Sequence, residues 1–309
     1  MDRQEKAIVS YEINKEISSA ITGLTSKQEP DYIAALVTKF CSNLPAILNS
    51  NIHGMKFKVG GCFIHQKPLA KFLNPPYLGM KSPELGDLLI VFKRIQNGEE
   101  QFNALLLQAK KNNTPFAKKI IPIDHQLVLY TQWPYFEYIR AGYLNGTKRS
   151  VQPKSSTPGA QYLLIDEQNN NHNHCYCHYP CPFCCNSPVM FYTAPSSSVI
   201  QASHCLAWSL VDFLEFHTGK PFVPKKSVRI DHWSQMIWDL LDLSVQSIFN
   251  RNKAGYKAVP RSSGDVIQMI LSDNNLNINL SDKSQNTNDN IGISVIVIDG
   301  IDSENNTNQ

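Results

Sequence analysis

Apolar residues recur at three- and four-residue spacing through residues 2 to 22, and again through about 29 to 49, where Ile33, Leu36, Val37, Phe40 and Leu44 share one stripe. That period predicts two amphipathic helices. From Met55 to Gln66 the pattern changes: Phe57, Val59, Phe63 and Ile64 surround Gly60-Gly61, which predicts a strand with a bulge or a close backbone approach at the glycines. Pro68, Pro75 and Pro76 then mark a loop. The segment GDLLIVFKRIQNGEEQFNALLLQAKK, beginning at Gly86, carries two apolar runs on either side of Asn97-Gly98. Asn-Gly tolerates the positive φ angles of a type I′ turn, so this is a β-hairpin. If those two residues form the loop, cross-strand partners have numbers summing to 195, and Asp87 lies opposite Gln108. Both faces of the hairpin are apolar, with Leu89, Val91, Phe102 and Leu106 on one and Leu88, Ile90, Phe92, Leu105 and Leu107 on the other. Such a hairpin belongs in the middle of a sheet covered on both sides.

Beyond it, DHQLVLYTQWPYFEYI has helical spacing interrupted at Pro134, and GAQYLLIDEQ reads as a strand. Residues 168 to 188 are Asn-, His- and Cys-rich without hydrophobic periodicity, as expected of an insertion. Helices are predicted at about 203–217 and 231–249, the second with Trp233, Ile237, Trp238, Leu240 and Leu241 as its core stripe. An Asn/Asp/Ser-rich stretch, 272–290, precedes the strand IGISVIVID. No internal repeat is visible. Strand, hairpin, helix and strand make an α/β core with a central mixed sheet flanked by helices. The expected organisation is an N-terminal part and core over 1–150, its continuation with the insertion and further helices over 151–271, and a loop, strand and tail over 272–309.

Composition narrows the class. Hydrophobic residues are 42% of 309, enough for a packed core, and the net charge of +3 neither demands nor forbids a nucleic-acid partner. The N-terminal stretch alternates charged and apolar residues, unlike a signal peptide, and no run of about 18 apolar residues suggests a membrane span. A cytoplasmic, membrane-free protein is expected. Five of the eight cysteines fall between Cys175 and Cys185, which in a reducing compartment suggests metal before disulfide.

Phosphodiester hydrolysis needs a divalent cation on hard oxygen ligands and a group that positions or activates water. The Asp87 carboxylate and the Gln108 carbonyl oxygen can supply the first. Lys110, two residues beyond Gln108 and therefore on the same face, can hold the water or meet charge developing on the phosphate. GDLL, a hairpin and LLLQAK together resemble the PD-(D/E)XK nucleases over roughly residues 55 to 140, in a variant with QxK for ExK. The resemblance implies a restriction-endonuclease-like core in which Asp87 binds Mg²⁺ (or Mn²⁺), Gln108 replaces the usual glutamate and Lys110 is the catalytic lysine. It also implies DNA as substrate and suits a role in restriction or anti-phage defence. Two departures stand out: Gly86 occupies the position where many members have proline, and Gln108 brings no negative charge.

QLVLY, with Gln126 and Tyr130 one helical turn apart, resembles the QxxxY motif of RecB-type nucleases, whose pair supports the active site. Many members also carry an acidic residue on the helix before the core sheet, for which Glu12 and Glu16 are candidates, with Glu84 as a rival. His65 and Gln66 would line the same cleft if their strand paired beside the hairpin, and Lys110, Lys111, Lys118 and Lys119 could contact phosphates. Enzymes of this kind often act with a partner protein or as a homodimer.

Cys175, Cys177, Cys181 and Cys184, with Cys185, His172, His174 and His178 nearby, offer more soft ligands than one structural Zn²⁺ requires. The RecB-type resemblance also leaves open an iron–sulfur cluster, with Cys62 upstream as a further ligand, though the family's spacing is not reproduced, and the irregular spacing leaves open no metal at all. Cys205 beside His204 reads as a buried thiol on a helix. The alternatives to a nuclease are a non-cleaving nucleic-acid-binding module and a zinc-organised interaction surface.

Overall fold

The computed structural model describes residues 1–24, 27–64, 68–76, 79–112, 118–120, 125–167, 189–197, 199–250 and 292–302. The helices are α1 (Arg3–Ile21), α2 (Glu29–Ala35), α3 (Cys41–Asn51), α4 (His125–Gln132), α5 (Leu206–Leu214) and α6 (His232–Asn250). The strands are β1 (Met55–Cys62), β2 (Leu69–Phe72), β3 (Leu88–Gln96), β4 (Glu99–Asn112), β5 (Lys118–Ile120), β6 (Phe136–Ile139), β7 (Lys148–Arg149), β8 (Ala160–Asp166), β9 (Met190–Ala194), β10 (Val199–Gln201), β11 (His204–Cys205), β12 (Lys220–Phe222) and β13 (Ser294–Asp302). The predicted second helix is α2 and α3 joined by a single π turn, Leu36–Phe40.

The fold is mixed α/β, a central mixed sheet with helices on its faces. Among the described residues the sheet runs β1-β13-β3-β4-β8-β9-β11, with β12 against the first half of β4. The β3–β4 register runs from Leu88 opposite Leu107 to Gln96 opposite Glu99, so every pair sums to 195. Asn97 and Gly98 carry the two positive φ angles, 53° and 77°, that a type I′ turn demands. β8 lies parallel to the second half of β4, placing Tyr162 beside Gln108 and Leu164 beside Lys110. Strands from all three sequence segments therefore share one sheet.

Strand alternation divides the core in two. Leu88, Ile90, Phe92, Leu105, Leu107 and Ala109 pack with the apolar stripes of α1, α3 and α5. Leu89, Val91, Phe102, Ala104 and Leu106 pack with α4, α6 and the small sheet β2-β6-β7. All of these strand residues are at most 2% exposed, as expected for a hairpin covered on both sides.

Three expectations are corrected. The helical spacing breaks at Pro134 as expected, but no helix resumes beyond it: α4 stops at Gln132, Trp133 takes φ 41°, and Phe136 and Tyr138 point inward on β6, which pairs with β2. Proline disfavours helical geometry in the residue before it, which separates helix from strand here. The strand from Met55 ends at Cys62 and does not border the hairpin, because β13 lies between β1 and β3. The helix expected from 203 begins at Leu206, with His204–Cys205 a short strand on β9. At the glycine pair the ladder runs on without a bulge. The close approach is real: a Cβ on Gly61 would strike the Val37 carbonyl.

Candidate functional site

Asp87 is held by the backbone before its side chain does anything. Its amide donates to the Leu107 carbonyl at 2.8 Å, one position off the register, so the regular ladder ends at Leu88 and Asp87 is not a ladder partner of Gln108. Alternation along β4 puts the Gln108 side chain on the face of Leu106, Leu89 and Val91. The two side chains meet: Gln108 Nε2 donates to Asp87 Oδ2, and the Ala109 amide donates to the same oxygen at 2.7 Å. Asp87 is 6% and Gln108 3% exposed. Lys110 follows on that face, half-buried, and its ammonium has no hydrogen bond or ion pair among the described residues. Its neighbour Lys111 points the other way and is engaged, 3.0 Å from Glu167 and donating to the Lys27 carbonyl at 2.6 Å.

α4 closes the site from the side of the second core. The Tyr130 hydroxyl donates to the Leu85 carbonyl at 2.8 Å, so this helix holds the chain two residues before Asp87. Tyr130 is fully buried, stacked on Trp133 with centroids 5.8 Å apart and tilted on Tyr162 at 5.7 Å. Burial pushes its hydroxyl pKa well above the ordinary value, and the nearby Tyr162, Asp87 and Glu84 push the same way, so the group stays protonated and donating. Gln126, one turn earlier on the helix, is 5% exposed, and its Nε2 has no hydrogen-bond partner among the described residues.

Gly86 has a physical reason. A Cβ there would lie 2.7 Å from Leu106 Cδ1 and 3.1 Å from the Tyr130 hydroxyl, leaving no room for the proline ring that the resemblance would favour.

No protein-family model, curated protein or solved structure matches this chain.

Of the residues singled out in the sequence, Asp87, Gln108 and Tyr130 come together, and Lys110 follows Gln108 by two positions on the same strand. Glu84 is half-buried, forms an isolated bridge with Leu69 and lies within electrostatic reach of Tyr130. Glu12 is not brought to them. α1 packs its Val9–Ile13–Ile17 stripe into the core on the opposite face of the sheet, and Glu12 lies 3.5 Å from Lys15, with Glu16 accepting from Asn43. His65, Gln66 and the proposed zinc ligands Cys175, Cys177, Cys181 and Cys184 lie outside the described residues, as do the side chains of Lys118 and Lys119. Tyr162 was missed by the sequence analysis. Its parity in AQYLLID was readable, but its place beside Gln108 depends on the non-local pairing of β8 with β4.

The donor set fits a hard divalent cation. Asp87 offers a carboxylate, and the Gln108 carbonyl oxygen is buried with no hydrogen-bond partner among the described residues, an acceptor that a core does not ordinarily leave idle. Another group with metal-type side chains, Asp212, Glu215 and His217, sits at the end of α5. Glu215 there already faces Lys6 and the Met1 amino group, so two cations occupy the place of a metal. Among the described residues no helix is long and apolar enough to cross a membrane.

Proposed function

We propose that the chain is a Mg²⁺- or Mn²⁺-dependent nuclease with a restriction-endonuclease-like core, hydrolysing DNA phosphodiester bonds. The observation that carries this is the meeting, at the end of a buried hairpin, of a carboxylate and an amide with an idle carbonyl oxygen, two residues before a lysine on the same strand whose ammonium has no partner among the described residues. Supporting it, a helix follows the hairpin and a strand returns parallel to β4 beside Gln108 and Lys110.

Asp87 and Gln108 would hold the cation, which when bound supplies a Lewis acid on the phosphate and lowers the pKa of water. Lys110, two residues beyond Gln108 on the same strand, would meet the phosphate oxygens or hold the attacking water. A flexible, half-buried ammonium loses less hydration on reaching an anion than a fully exposed one, and can stabilise charge as it develops. Tyr130 acts through Leu85, fixing the approach of the chain to Asp87. Gln126 presents a buried N–H donor from the first turn of α4, a setting that favours an anion.

The test is cleavage of linear, circular and single-stranded DNA with Mg²⁺ or Mn²⁺ by wild type, Asp87→Ala, Asp87→Asn and Lys110→Ala. Metal-dependent cutting lost in all three variants is expected, and the substrate pattern sorts endo- from exonuclease action. Cutting that survives in all three removes this site. Binding without cutting by wild type turns the reading to a non-cleaving nucleic-acid module.

A further inference from the structure

Asp87 Oδ2 accepts from two N–H groups at once, the Gln108 side chain and the Ala109 backbone. Chemistry dictates which end of the amide faces it. A carboxylate offers only acceptors, so an amide oxygen turned towards Asp87 would set two acceptors together inside the core. The nitrogen therefore faces Asp87, and the oxygen is left buried without a hydrogen-bond partner among the described residues. A hard divalent cation shared by these two side chains needs the opposite arrangement, because it takes oxygen and not an amide N–H as ligand. One amide cannot satisfy both states in one orientation. The states differ by a half-turn about the terminal torsion, which in glutamine is broad and roughly two-fold.

We infer that Gln108 is a two-position latch on Asp87: nitrogen inward, it holds the carboxylate while no divalent cation is bound, and oxygen inward, it becomes a ligand of that cation. This rests on the nuclease reading above and adds a purpose for glutamine at this position. Glutamate would be the stronger ligand, but without a cation it would press a second carboxylate against Asp87 where both positions are at most 6% exposed. Glutamine keeps the Asp87 carboxylate bonded in the empty site, leaving its own carbonyl oxygen idle and giving up affinity, so the protein is stable metal-free and loads only when cation is abundant.

The experiment uses the full chain with its glutamine side chains labelled with ¹⁵N, the Gln108 amide signals being those absent from Q108M. Mg²⁺ titration is followed by NMR and calorimetry, and Mn²⁺ binding and thermal unfolding are compared between wild type and Q108E. Saturating Mg²⁺ is expected to displace the Gln108 NH₂ signals as they leave Asp87. Q108E is expected to bind Mn²⁺ on the order of tenfold more tightly, because a neutral ligand becomes charged. It should also unfold at lower temperature than wild type in chelator, with the gap closing in Mn²⁺. Gln108 signals that stay put while D87N abolishes the heat of binding would overturn the latch and leave the cation site standing. No binding of either cation by wild type or Q108E would remove both. Should Q108E fail to fold, the wild-type amide signals still decide.

Discussion

Replacing Tyr130 with phenylalanine removes one oxygen and keeps the ring, so the stacking on Trp133 and the tilted contact with Tyr162 survive. What is lost is the bond to the Leu85 carbonyl, made where both residues are 0% exposed and water cannot replace the missing donor. A buried hydrogen bond contributes about 1 kcal/mol net, but leaving its acceptor unsatisfied costs about 1–3 kcal/mol, and the second figure governs here. A loss of about 2 kcal/mol lowers the melting temperature by roughly 3 °C in a chain of this size. Urea unfolding followed by tryptophan fluorescence measures it, Trp133 lying against the altered ring. Because Leu85 is two residues from Asp87, cleavage should fall as well, with the loss mainly in kcat. A variant as stable as wild type would refute the claim that this hydroxyl secures the approach to Asp87. A variant that is as stable but cuts poorly would assign Tyr130 a direct role at the substrate.

Gly86→Ala should destabilise by about 1–3 kcal/mol, since its Cβ meets Leu106 at 2.7 Å, and a melting temperature equal to wild type would disprove the steric reason for glycine. Adjacent lysines should separate cleanly. Lys110→Ala is expected to abolish cleavage with stability within about 0.5 kcal/mol of wild type. Lys111→Ala should keep cleavage and lose up to about 1 kcal/mol with its Glu167 pair, as denaturation of the two variants side by side would show. The pH dependence follows from the tyrosines. Burial, the largest cause, raises the hydroxyl pKa of Tyr130 and Tyr138 well above the ordinary value. Their contribution to stability is therefore complete below about pH 10 and is lost as pH rises from there through the folded-state values. Tyrosinate absorbance should appear together with unfolding, and reversible ionisation of both in a folded protein near pH 10 would contradict their burial.

The hairpin and its register were legible because both depend on local chemistry. A two-residue Asn-Gly loop sets the pairing, and a period of two then assigns every side chain from Leu88 to Gln108 to a face, while Asp87 reaches Gln108 from just beyond the ladder. Where the hairpin sits in the sheet was legible from its two apolar faces. What failed was non-local. No property of Glu12 says which face of the sheet α1 will cover, and that choice carries it away from Asp87. Nothing in FIHQKP reveals that β13, more than two hundred residues later, will separate β1 from β3. Residues 135–139 misled for a local reason: spacing compatible with a helix outlasted Pro134, but Phe136 and Tyr138 also alternate, and the backbone followed the shorter period.

The place of β13 also governs how this protein can be made. Ser294 comes 198 positions after Gln96, yet it pairs with Leu88 and lies between two of the earliest strands. At about 5–20 residues per second of synthesis, β1 and β3 wait roughly 10–40 s for their shared neighbour. Throughout that interval two apolar strand edges lie open, each a template for a wrong partner. The nascent chain therefore cannot finish its core piece by piece as it is synthesised. Its yield should depend on holding that slot empty until β13 arrives.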